Sequence, residues 1–200
     1  MAGRLHLAVL VNEELQLKKL VRRFVTMGLN NNCLNVLIVS RDEEPRYKGF
    51  LKGIGMESGD LEILLHEELY PDTRIGSSFK PILNALNSVK ELARKQRKSG
   101  LQIIGTIVGN LYQQKRYSDC FKREKRWQKL IPQFDMPIVA LCPYKSVVPP
   151  KLHMRLIECH DGIINLKDNG NKDTSTFEFS YSGRPYKEEA KAELLKLLEK

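Results

Sequence analysis

Two hundred residues, 42% of them hydrophobic, are enough to bury one full-sized core and leave little for a second. A charged fraction of 28% excludes disorder on the scale of the chain, and no apolar stretch approaches the roughly 20 residues that would span a bilayer. The formal charge of +9 favours an acidic partner, whether nucleic acid, anionic lipid or protein, without selecting among them.

Cys33, Cys120, Cys142 and Cys159 are widely spaced and form no C-x-x-C pair. Met1-Ala2-Gly3-Arg4 leads directly into a short apolar run, with no signal-peptide pattern. Both features point to a reducing, cytoplasmic setting.

In chain order, Leu5–Val11 suits a buried strand, and Asn12 can cap the amphipathic helix that follows from Glu13 to Leu29. Cys33–Ser40 is a second buried strand, Pro45–Ile54 a helix, Glu57–Asp60 a turn and Leu61–Leu65 a third strand. Tyr70–Ser78 reads as a loop before a long helix, Phe79–Lys98, which Ser99-Gly100 stops. Leu101–Val108 is a fourth strand ended by Gly109-Asn110, and Leu111–Leu130 a basic helix. Pro137–Leu141 is a fifth strand, Lys151–Cys159 a helix and Gly162–Leu166 a short strand. Beyond it the texture becomes polar. Residues 167–200 are expected to form a flexible loop (Lys167–Thr176), an edge strand (Phe177–Tyr181) and a helix over Lys187–Lys200. Apolar strands alternating with helices predict an α/β domain over residues 1–166, with a mostly parallel sheet covered on both faces.

The missing motifs are equally informative. The first strand is followed by Val11-Asn12-Glu13-Glu14, with no glycine and two carboxylates that repel phosphate. No G-x-x-x-x-G-K-[ST] occurs, and no G-x-G-x-x-G follows a strand, which argues against nucleotide hydrolysis. No G-x-S-x-G elbow is present. His6, His66, His153 and His160 lack zinc-motif spacing, although Cys142, Cys159 and His160 could assemble a soft-ligand site in three dimensions. Alternatively the two thiols are core residues and His160 caps its helix. No catalytic residue, metal or cofactor is expected on these grounds. An enzyme using Cys142 as nucleophile would need a lowered thiol pKa and an adjacent base.

Three segments carry a resemblance. They are His6-Leu7-Ala8-Val9-Leu10-Val11 with Glu13-Glu14, Phe24–Leu29 followed by Val36–Val39, and Ala140-Leu141-Cys142-Pro143-Tyr144 through Pro149 to Cys159-His160. Together they resemble the MEDS domain, the methanogen/methylotroph sensory domain, over roughly residues 4–166. The resemblance implies a RecA-like α/β sandwich without its Walker motif, and a role in sensing hydrocarbon derivatives. His6, Cys142, Tyr144 and His160 then carry over as ligand-binding positions, and His6 is equally readable as a satisfied core histidine. Two features depart from the family: the basic middle of the chain, and the lack of a fused output module.

That middle is the basis of a second reading. Cations crowd residues 90–98 and again Lys115, Arg116, Lys122, Arg123, Lys125, Arg126 and Lys129, with Trp127 among them. Such a face could grip nucleic acid or an acidic protein, or be an ordinary solvated surface. The leading expectation is a non-catalytic, cytoplasmic sensory module. It would bind a small ligand or protein partner at the strand carboxyl ends, shift the loops at Pro71–Ser78 and Lys145–Pro149, and regulate a partner in trans. A homodimer through the last strand and helix is compatible with the pattern. Nucleic-acid binding through the basic helices is the alternative.

Overall fold

A computed structural model describes residues 3–53, 56, 59–70, 80–145, 149–168 and 175–181. The expected loop at Pro71–Ser78, most of the loop at Lys145–Pro149, the core of the Lys167–Thr176 loop and the Lys187–Lys200 helix lie outside these residues.

The first strand, β1 (Arg4–Val11), alternates in the way a strand between two helical layers must. Leu5, Leu7, Val9 and Val11 enter one core, and Ala8 and Leu10 enter another on the opposite face. Helix α1 (Glu14–Asn30) then crosses the first face. Its N-cap is Glu13, one residue later than expected, and the side-chain oxygen of Gln16 accepts the backbone N–H groups of Asn12 and Glu13. Those amides begin the loop where a nucleotide-binding relative of this architecture would cradle phosphate. Here they are already occupied.

Strand β2 (Cys33–Val39), helix α2 (Glu44–Lys52) and strand β3 (Leu61–Leu65) follow the expected pattern. A short helix, α3 (His66–Leu69), continues directly from β3, and α4 (Lys80–Lys95) leads to β4 (Gly100–Gly105). At this point two expectations fail. The fourth strand stops at Gly105 rather than Val108, and Leu111–Leu130 is not one helix but two, α5 (Ile107–Gln113) and α6 (Tyr117–Leu130). The break carries Lys115 with φ of 59°, a left-handed conformation that no helix can run through. Gly109 is not a strand terminator. It lies inside α5, where an added Cβ would sit 2.1 Å from the Pro143 carbonyl oxygen. The glycine therefore lets α5 rest directly on the next strand.

A 3-10 turn, Ile131–Gln133, precedes β5 (Ile138–Lys145), which is longer than expected, and helix α7 (Pro150–Cys159) leads to β6 (Gly162–Asp168). With β7 (Ser175–Tyr181) as the last strand, the sheet order is β3-β2-β4-β5-β1-β6-β7. Every neighbouring pair is parallel except the last, in which β7 runs antiparallel along β6. This is the mostly parallel α/β sheet the sequence predicts. Helices α1 and α2 cover one face, and α3 to α7 cover the other.

Gly109→Ala is expected to cost about 1–3 kcal/mol, because the new methyl group meets backbone rather than a side chain that can swing aside. The readout is a lower urea midpoint at unchanged slope. An unchanged midpoint would mean that α5 can lift off β5 freely.

Candidate functional site

The middle of the sheet carries an unusual polar position. His6 is the one titratable residue in the buried part of β1, and its neighbour across the ladder is Ala140 on β5. Two residues further along, Ala8 pairs with Cys142, and Leu10 pairs with Tyr144. Paired residues share a face, so His6, Cys142 and Tyr144 all project beneath α5, α6 and α7. Helix α6 lowers Glu124 onto them, and His160, the C-cap of α7, closes the group. Glu124 and His160 are both 0% exposed, so this cluster is sealed from water.

Glu124 is the hub. Its Oε2 lies 3.1 Å from His6 Nε2 and 3.7 Å from Cys142 Sγ, and its Oε1 lies 3.2 Å from His160 Nε2. The Tyr144 hydroxyl donates to Oε1. His6 Nε2 is also 3.3 Å from Cys142 Sγ. The two imidazoles stack with centroids 4.3 Å apart, and the Tyr144 ring meets His160 edge-on. Backbone contacts fix both rings: His6 Nδ1 is 3.0 Å from the Cys159 carbonyl, and His160 Nδ1 is 2.8 Å from that of Leu156. A carbonyl only accepts, so both Nδ1 atoms carry hydrogen and both Nε2 atoms face the carboxylate. The Asp161 carboxylate accepts the His6 N–H, and the Asp161 N–H donates to the His6 carbonyl, which locks α7's end to β1.

The electrostatics of the cluster pull in two directions. Burial, reinforced by the adjacent His160, pushes His6 below its ordinary value, toward the neutral ring, against the pull of Glu124 and Asp161. Burial opposes ionisation of Glu124 as well. There the attraction and hydrogen bonding of His160 and His6 outweigh it, holding the carboxyl well below its usual range. That depression presupposes cationic rings, whereas His6 is driven to neutrality. We favour an ionised Glu124, since the Tyr144 hydroxyl donates to it and the Cys142 thiol lies within reach. Burial and the Glu124 charge push both the Cys142 thiol and the Tyr144 phenol well up. An enzyme using Cys142 as a free thiolate nucleophile is therefore disfavoured.

A small apolar cavity begins at Cys142. Its lining includes Tyr70, Ile103, Gly105, Trp127 and Ala140, and its volume is about 20 Å³, above the roughly 10–15 Å³ that admits one water-sized guest. Cluster and cavity thus share one residue, a polar handle at the end of an apolar slot.

The family model described as "MEthanogen/methylotroph, DcmR Sensory domain" matches residues 5–161. The chain belongs to the MEDS family. No curated protein matches it. Among solved structures it is similar to a KaiC-like protein of the hyperthermophilic archaeon Pyrococcus horikoshii OT3. That similarity is at 6% identity and a TM-score of 0.47, covering 88% of this chain and 77% of that one.

In this MEDS domain, the four expected ligand-binding residues meet at one point. They meet under the helical layer, with His6 near the start of β1 and Tyr144 near the carboxyl end of β5. Cys159 contributes its carbonyl rather than its thiol. Glu124 escaped the sequence reading because it sits inside the charged run Lys122-Arg123-Glu124-Lys125-Arg126. Its spacing was the available signal: it lies three or four residues from Cys120, Phe121 and Trp127, on the helix's apolar stripe.

The basic set needs two corrections. Arg123 and Trp127 are buried and cannot be surface contacts for nucleic acid. Arg123 donates to His66 Nε2 and lies 4.0 Å above the Tyr70 ring, while Trp127 packs into the core. Arg116 pairs with Asp119, and Arg126 is half-buried. Lys115, Lys122, Lys125 and Lys129 remain exposed. Among the described residues no helix is long and apolar enough to cross a membrane.

Glu124→Ala is expected to lower stability by about 2 kcal/mol or more, since it strands the Tyr144 hydroxyl in a dry interior and leaves a cavity. Chemical unfolding would measure this, and a loss below 1 kcal/mol would contradict the geometry. His66 gives a pH prediction. Burial, with Arg123 beside it, lowers its pKa from the ordinary 6.5 to about 4. Above pH 6.5 neither folded nor unfolded chain binds this proton, and the stabilisation is complete. Between 6.5 and 4 only the unfolded chain takes it up, so stability falls with pH. His66→Gln should flatten stability over that window.

Proposed function

We propose that this MEDS domain is a non-catalytic sensor that binds one small, mainly apolar ligand in the cavity, with the His6, Cys142, Tyr144 and His160 cluster as its polar end. The observation that carries this reading is the shared Cys142: an apolar slot opens onto a set of convergent, buried donor atoms. Family membership supports the sensory role.

Helix α6 is the natural output element. It carries Glu124 into the cluster and Trp127 into the cavity wall, while Lys122, Lys125 and Lys129 face solvent. Its Arg123 also holds Tyr70, another cavity residue. A ligand that repositions Glu124 or Tyr70 would therefore move a cationic face that an acidic protein partner can read. Such a signal requires different ligand affinities in two positions of α6.

Trp127 is the single tryptophan and lines the cavity, so its fluorescence reports occupancy directly. Xenon and chloromethane, each larger than the water-sized slot, are expected to bind by displacing its Tyr70 or Trp127 wall and so to quench or shift the emission saturably. Gly105 also lines the cavity, and a Cβ there would meet open space, so Gly105→Val should fold and fill the slot. The variant should lose at least about tenfold in apparent affinity, the equivalent of about 1.4 kcal/mol. A linear, non-saturating response, or one that Gly105→Val leaves unchanged, would sink the reading.

A further inference from the structure

With both rings neutral and Glu124 ionised, the lone-pair geometry of the cluster does not close. His6 and His160 each commit their Nδ1 hydrogen to a backbone carbonyl, so a neutral ring presents a bare Nε2 lone pair to the Glu124 carboxylate. Lone pair facing lone pair at 3.1 and 3.2 Å is repulsive. The Cys142 thiol hydrogen can relieve one such contact at most. Protonating both rings instead places two stacked imidazoliums, 4.3 Å apart, against a single carboxylate in a dry interior. His160 Nε2 is fully buried, and with its ring hydrogen given to the Leu156 carbonyl it faces Glu124 Oε1 with a bare lone pair aimed into the cluster.

We propose that His6 Nε2, His160 Nε2, Cys142 Sγ and one carboxylate oxygen of Glu124 bind a single divalent cation with the preferences of zinc. The inference rests on the reading of this cluster as the polar end of the sensing site, and the two can fail separately.

Zinc takes nitrogen and oxygen ligands at about 2.0–2.2 Å and sulfur at about 2.3 Å, so a tetrahedron sets neighbouring ligand atoms about 3.3–3.8 Å apart. Around Oε2 the pairs are 3.1 Å to His6 Nε2 and 3.7 Å to Cys142 Sγ, with 3.3 Å between those two, while His160 Nε2 lies 3.2 Å from the other oxygen, Oε1; one ligand atom from each of the four residues fits within 4.8 Å. The surroundings have the form that metal-binding histidines require. Each ring's other nitrogen donates to a backbone carbonyl, and the Tyr144 hydroxyl donates to the carboxylate. The charges also balance: a divalent cation against one thiolate and one carboxylate, with two neutral imidazoles, leaves the interior neutral. Binding would expel the Cys142 thiol proton to solvent, since a metal reverses the penalty that burial places on the thiolate. Mixed nitrogen, oxygen and sulfur donors favour zinc-like ions over magnesium or calcium, which need all-oxygen shells.

The test is cobalt(II) spectroscopy on the full chain, refolded with cobalt after metal analysis of the purified protein. One equivalent should bind, with intense visible d–d bands of a tetrahedral site and a near-ultraviolet thiolate-to-cobalt band. Cys142→Ser should abolish the sulfur band and weaken binding at least about tenfold. Should that variant fail to fold, His160→Gln keeps the sulfur band while diminishing the d–d intensity. Folded protein that takes up no cobalt, or a sulfur band unchanged in Cys142→Ser, overturns the assignment. Trp127 emission with xenon, measured with and without metal, separates the two ideas. A response without any metal at the cluster leaves sensing standing and removes the cation. A cluster that holds cobalt while Trp127 stays silent does the reverse.

Discussion

A carboxylate buried without water must be met on both oxygens, and that constraint organises this domain. Leaving Glu124 uncompensated between a sheet and a helix would cost several kcal/mol. The chain surrounds it from three elements: from β5 the Tyr144 hydroxyl donates and the Cys142 thiol lies within reach, while the Nε2 atoms of His6 on β1 and His160 at the end of α7 face its two oxygens. Each depends on a specific piece of packing. The parallel β1–β5 register sets His6, Cys142 and Tyr144 on one face. Gly109 lets α5 lie on β5 beside Tyr144, and Asp161 ties the start of β6 to the His6 backbone.

Much of the architecture was legible in the sequence because strands buried on both faces read as unbroken apolar runs, and amphipathic helices between them read by period. The missed features have local causes. Gly109 follows an apolar run and so looks like a strand terminator, whereas it serves a close helix–strand approach. One long basic helix became two because Lys115 adopts a left-handed conformation that its side-chain chemistry does not signal. The site was half legible: the motif-bearing residues His6, Cys142, Tyr144 and His160 stood out, yet which of them touch depends on strand order. Glu124 hid within a charged run, although it occupied an apolar-face position.

The same packing explains how a fold without a phosphate loop can still be responsive. The amides after β1 are taken by Gln16, and beyond β2 and β4 the Glu43 carboxylate accepts from the Ser40 and Thr106 hydroxyls. The strand ends are thus knitted together, and the open chemistry has moved inward, under α6. That helix joins the donor cluster, the aromatic walls of the cavity and a cationic surface in fourteen residues. A perturbation at any one of them has a short mechanical path to the others.

The central claim is that two imidazole lone pairs converge on Glu124, and ring-nitrogen NMR of His6 and His160 tests it most directly. Long-range proton–nitrogen correlation distinguishes the two tautomers and the protonated ring. The account predicts hydrogen on Nδ1 and none on Nε2 for both residues at neutral pH. Hydrogen on Nε2 of both rings would mean that protons alone hold the cluster together, and would contradict it.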